Sequence, residues 1–187
     1  MFESQNLAYC GYRKIDNDDL LALYNDYAVQ KTLVSDFVVP RSDAYKETIE
    51  GWGMKNLMFV IVRYKPTWEF VGQTAIWMQN EKNRDARLGI AIGSAWWGKG
   101  FGTEIVQWVV AHSFRHFNLH RMSLDVLASN GSALTIYKKA CVHINCVYRA
   151  NVLSCGGVQG IRAGRCAPQG ELGGRAVDRC HTDGNPG

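Results

Sequence analysis

The chain is 187 residues long, 47% hydrophobic and 20% charged, with a formal net charge of +4, which is enough apolar content for one well-packed domain. The charge is dispersed, with 16 Lys and Arg against 14 Asp and Glu in residues 1–140 and five against three in residues 141–187, so no basic block of the kind a nucleic-acid surface needs is present. No apolar run reaches membrane-spanning length, Met1–Asn6 has neither the basic flank nor the apolar core of a secretory leader, and residues 1–140 hold only Cys10; the expectation is a soluble, cytoplasmic protein without a membrane or nucleic-acid partner.

In chain order, Tyr9–Arg13 reads as a short first strand. Asp16-Asn17-Asp18-Asp19 supplies cap residues and early acids for a helix running to about Ala28. A loop broken by Pro40 covers Gln30–Arg41, and Ser42 caps a second helix ending near Gly51. Leu57–Arg63 is a β-branched, apolar strand. Lys65-Pro66-Thr67 turns the chain into a strand over Trp68–Met78, whose Gly72 suggests a bulge. A further strand covers Arg87–Gly93. Thr103–Phe117 repeats apolar residues at helical spacing, Met122–Leu127 alternates like a strand, and Asn130–Lys139 is a last helix. The pattern predicts a mixed α/β layer around one core.

Between the strand at Arg87–Gly93 and the helix at Thr103 lies Trp96-Trp97-Gly98-Lys99-Gly100-Phe101-Gly102-Thr103. Alternating glycines strip side chains from the backbone and let N–H groups converge on an anion, and the helix that follows adds its own unpaired N–H groups and dipole. The turn suits phosphate, though a bare strand-to-helix connection has the same pattern. Two familiar phosphate loops do not fit. Gly93 and Gly98-Lys99 match the mononucleotide loop, but Gly100 stands where Ser or Thr should hold magnesium. Gly98 and Gly100 match the dinucleotide fingerprint, but Thr103 occupies its third glycine position.

A second motif, Asn130-x-x-Ala133-x-x-x-Tyr137, follows the strand at Met122–Leu127. With the Trp97–Thr103 turn it resembles the GNAT (Gcn5-related) N-acetyltransferase superfamily. Asn83-Arg84, Leu88-Gly89-Ile90 and Asn118-Leu119-His120-Arg121 are similar to the branch containing ribosomal-protein N-terminal and spermidine acetyltransferases. The resemblance spans about Tyr12 to Lys139. It implies the acyl-CoA N-acyltransferase fold, with acetyl-CoA as co-substrate and an amine as acceptor. It further implies that the N–H groups of Gly98, Lys99, Gly100, Phe101, Gly102 and Thr103 hold the pyrophosphate, with Trp97 also at the cofactor site. The pantetheine arm would pair with backbone near Ile90 and Ile92, where that strand splays from Met122–Leu127, and Asn130 would hydrogen-bond the arm. Tyr137 would protonate the departing thiolate as general acid; its other reading is a helix tyrosine packed on the sheet. The Gln30–Arg41 region would lie over the acceptor. Glu69, Asp85 and Asp125, or a water chain, are the candidates for removing the amine proton, each carboxylate having an ordinary surface role as its alternative. The acceptor's identity and the assembly state, monomer or homodimer, stay open.

No metal is expected. His112 and His116 share a helical spacing, but no carboxylate or cysteine accompanies them and His120 lies beyond the helix. The 47 residues from Cys141 to Gly187 contain nine glycines, five of the six cysteines and one aromatic, Tyr148. Their spacings match no zinc module, and the composition predicts a segment without a core. The family would instead place Gly-Phe, Glu-Gly and Arg here, in two strands that close the sheet. Reading Gly157–Gly164 one base out of frame permits that motif, so a retained intron from Cys141 to about Gly156 followed by an out-of-frame exon is the expected origin. The domain is thus expected to cover residues 1–140, lacking its last two strands.

Overall fold

The computed structural model describes residues 2–33, 37–139 and 143–147. Strand β1 (Leu7–Gly11) is followed by helices α1 (Asn17–Asn25), α2 (Tyr27–Gln30) and α3 (Tyr45–Lys55). Then come β2 (Met58–Tyr64), β3 (Phe70–Asn80), β4 (Asp85–Ile92), α4 (Phe101–His116), β5 (Arg121–Leu127), α5 (Gly131–Lys139) and β6 (His143–Val147). The strands form one sheet in the order β1-β2-β3-β4-β5-β6. β1 to β4 is an antiparallel meander, and β4–β5 and β5–β6 are parallel. The parallel pairs are joined through α4 and α5, as such crossovers require. This is the expected mixed α/β layer, with the sheet extended by β6 beyond the Ala140 boundary; the remaining expectations for residues 148–187 lie outside the described residues.

Helices cover both faces of the sheet, which explains the unbroken apolar run of β2. Phe59 and Ile61 join Leu20, Leu23, Tyr24 and Ile49 under α1 and α3. Val62 packs from the opposite face with Leu88, Ile105, Val106, Val109 and Leu124 under α4.

Several boundaries differ from the sequence reading for local reasons. The first strand sits earlier, at Leu7–Gly11 instead of Tyr9–Arg13, because its partner β2 sets the register from Leu7↔Tyr64 to Gly11↔Val60. The first helix breaks at Asp26, which is extended (ψ 112°) and caps α2 by accepting from the Ala28 N–H at 2.8 Å. α3 continues past Gly51 to Lys55. At Gly53 a Cβ would lie 2.7 Å from Cδ1 of Tyr12, so glycine lets the helix lie on that ring. The register slip in β3 falls opposite Val62 and Arg63, next to Gly72.

A buried ion pair fixes the start of α1: Asp16, 1% exposed, accepts from Arg63 at 2.7 Å and from the Arg13 N–H at 2.9 Å. The first turn of α4 is tied to the N-terminal segment by Glu104. Its carboxylate accepts from the Ser4 hydroxyl and the Asn6 N–H, each at 2.6 Å, and from Asn6 Nδ2 at 3.0 Å. Burial pushes the Glu104 pKa up, but these donors outweigh it and hold the carboxyl below its ordinary value. Protonation therefore favours the unfolded chain: the stabilisation is complete above the ordinary carboxylate pKa and is lost as pH falls below it. Replacing Glu104→Ala should cost about 2 kcal/mol and flatten the acid limb of a stability–pH curve measured by thermal melts; an unchanged acid limb would show that the clasp contributes nothing.

Candidate active site

β4 and β5 are hydrogen-bonded neighbours only at Asp85↔Arg121, Ala86↔Met122 and Arg87↔Ser123. Beyond that point the strands part, and among the described residues Leu88–Ile92 has no strand partner on this side. A cavity of about 520 Å3 occupies the gap and the space above it. Its wall includes Ile90 and Ile92 from β4, Trp97, Gly98, Gly100, Phe101 and Gly102 from the turn and helix start, and Asn130 and Tyr137 from α5 and its cap. Nine of the residues singled out by the sequence thus converge on one site. Lys99 and Thr103 do not line it: the Lys99 ammonium lies over the Trp96 ring, 4.4 Å from its centroid.

Local geometry explains the glycines. Gly98 (φ +75°) and Gly100 (φ +82°) are in the left-handed region that other residues enter at a cost. A Cβ at either would meet no atom within 4 Å, so conformation, not space, requires glycine. Gly102 differs: a Cβ there would come within 3.0 Å of Ile136 Cδ1, so its absence lets α4 and α5 approach. Two indoles brace the turn. Trp96 Nε1 donates to the Phe70 carbonyl and Trp97 Nε1 to the Ile92 carbonyl, both at 2.9 Å. The Ile92 carbonyl is therefore already occupied, leaving Ile90 as the freer part of the exposed strand edge.

No side chain caps the first turn of α4 among the described residues. Its leading N–H groups, which have no intrahelical acceptor, face the turn, and Glu104 is engaged with Ser4 and Asn6. The result is a set of N–H groups that Glu104 leaves unoccupied and that suit an anion. Asn130 caps α5: its Oδ1 accepts from the Ala133 N–H at 3.1 Å, leaving the Nδ2 donor over. Tyr137 is 8% exposed and no described residue hydrogen-bonds its hydroxyl; burial pushes its pKa up to about 12, so it holds its proton through the neutral range.

The three carboxylates considered as bases line no part of this cavity. Asp125 pairs with Arg87 at 3.0 Å, Asp85 lies 3.9 Å from Arg121, and Glu69 accepts from the Thr67 hydroxyl. His112 stacks on Trp108, its ring 4.6 Å from that of His116, and burial lowers its pKa. Thr32, within the Gln30–Arg41 region, also lines the cavity, as does Val29 of α2, which the sequence reading missed. The signal was Asp26: besides capping α2, it accepts from the Ser94 N–H at 3.4 Å and so ties that helix to the turn. The Ser94 contact outweighs burial and lowers the Asp26 pKa.

Residues 11–140 match the family model described as an acetyltransferase (GNAT) domain. An uncharacterized N-acetyltransferase of Bacillus licheniformis is 32% identical over 84 residues, an alignment spanning 45% of this chain and 46% of that protein. The spermidine N-acetyltransferase of Vibrio cholerae, solved with CoA and spermine, superposes with a TM-score of 0.65 at 20% identity, covering 73% of this chain and 80% of that one. A ribosomal-protein alpha-N-acetyltransferase solved with coenzyme A gives a TM-score of 0.63 at 14% identity over 73% and 80%. The structural likenesses establish the fold, and the family model, matched over more than half of the sequence, establishes the family. The chain belongs to the GNAT acetyltransferase family.

Proposed function

We propose that this protein transfers the acetyl group of acetyl-CoA to a primary amine, with the co-substrate in the cavity between β4 and α5. The observation that carries this reading is the parting of β4 from β5 directly beside a glycine turn that opens α4. An exposed strand edge suits an amide-bearing arm, and uncapped helix N–H groups suit a pyrophosphate. Related folds have been solved with CoA, which supports acetyl-CoA as the co-substrate. No helix among the described residues is long and apolar enough to cross a membrane, and we place the reaction in the cytoplasm, where acetyl-CoA and a reduced Cys10 thiol are both at home.

In this reading the N–H groups of Gly98–Thr103 bind the pyrophosphate and the edge of β4 at Ile90 aligns the arm. The Asn130 Nδ2 donor holds an arm carbonyl. The neutral amine attacks the thioester carbon, the carbon–sulfur bond breaks, and the Tyr137 phenol gives its proton to the departing sulfur. The proton lost by the amine leaves to water, since the paired carboxylates Asp85 and Asp125 are engaged elsewhere. Burial keeps the phenol protonated through the neutral range, so a proton is present on it when the thiolate forms.

Replacing Gly100→Val should lower stability by about 1–2 kcal/mol through its left-handed backbone and weaken acetyl-CoA binding, measured by calorimetry, by at least about tenfold. Gly11→Ala, where a Cβ meets nothing within 4 Å, serves as the control; equal affinity in both variants would remove the turn from the site. Tyr137→Phe should reduce kcat by about 100-fold with acetyl-CoA affinity preserved. Turnover at the parent rate would leave Tyr137 a packing residue, and acetyl-CoA binding without turnover in the parent protein would favour a CoA-binding module over an enzyme.

A further inference from the structure

A second cavity, of about 360 Å3, lies on the sheet face that carries α1 and α3, and it meets the first at Ile90 and Ala91. Four rings dominate its wall: Tyr24 of α1, Trp52 of α3, Phe59 of β2 and Trp77 of β3. Gly89 shapes this wall. A Cβ there would stand 2.9 Å from Cζ3 of Trp77, so the indole lies directly on β4 beside Ile90. Tyr24 and Trp52 meet edge to face with centroids 5.3 Å apart. None of the described residues lining this cavity is Asp, Glu or His. Gln73 is its most buried amide, 5% exposed; Nε2 donates to the Tyr24 hydroxyl at 2.9 Å, and Oε1 has no hydrogen-bond partner.

This lining selects among amines. A polyamine brings a second ammonium that needs a carboxylate or water, and the described residues of this wall offer it no carboxylate. A single amino group entering among rings is desolvated, which favours its neutral, nucleophilic form. A flat apolar body fills the space between indole and phenyl faces and displaces water from them. The Gln73 carbonyl supplies one acceptor for an N–H group.

We propose, resting on the acetyl-transfer reading above, that the acceptor is a monoamine with an aromatic or similarly flat apolar body, and that polyamines are excluded. The test is calorimetric titration of 2-phenylethylamine and of spermidine into the full chain saturated with CoA. The expected result is that 2-phenylethylamine binds at least about tenfold more tightly, that Trp77→Ala abolishes the difference, and that Trp52→Phe, which keeps an apolar ring, retains it. Equal or tighter binding of spermidine, or no binding of 2-phenylethylamine to CoA-loaded protein, overturns the proposal while leaving the CoA site standing. Absence of CoA binding in the same samples removes the acetyl-transfer reading instead, and the two amine titrations repeated on CoA-free protein then decide the cavity's preference by the same criterion.

Discussion

Everything in the candidate site depends on how briefly β4 and β5 stay together. Parallel strands closed along their whole length would leave a filled, two-faced sheet with no room for a ligand. Here three residue pairs, reinforced by the Arg87–Asp125 ion pair, hold the strands at one end. Past Ser123 the two strands follow different helices. β4 remains paired to β3 through Ile92, while β5 stays with β6 through Leu127. The wedge between them is bounded by Tyr137 on one side and the start of α4 on the other.

The electrostatics of the wedge follow from a second economy. A carboxylate in the first turn of a helix ordinarily lies against the helix's own N–H groups and neutralises their dipole. Glu104 occupies that position, yet Ser4 and Asn6 take up its oxygens. The carboxylate thus anchors the N-terminal segment while the helix start keeps donors for an incoming anion.

Much of this was legible in the sequence because the decisive positions obey local rules. Gly98 and Gly100 mark left-handed backbone, the spacing from Asn130 to Tyr137 places a cap and a ring on α5, and the apolar run of β2 announces a sheet covered on both faces. Nine of the eleven proposed site residues converge on one wall for that reason. Lys99, also proposed for the site, does not line the cavity, and its ammonium lies over the Trp96 face instead. The breaks and extensions of the first helices depend on partners distant in sequence, such as Ser94 for Asp26 and Tyr12 for Gly53, and no periodicity within a segment reports those. The aromatic cavity was equally hidden: its four rings come from four elements, and only the fold brings Tyr24, Trp52, Phe59 and Trp77 together.

Gly72 gives the architecture an unexpected fragility. A Cβ at this position would run into the backbone carbonyl of Ala91 and lie 2.9 Å from Cα of Ile92, and neither atom can rotate away. Even alanine would have to push the end of β4 off β3, toward the cavity between β4 and β5. The width of the wedge is therefore set from behind, by a residue that faces neither cavity. Substitutions here would read in an activity assay as damage to the site while every residue of the site was intact.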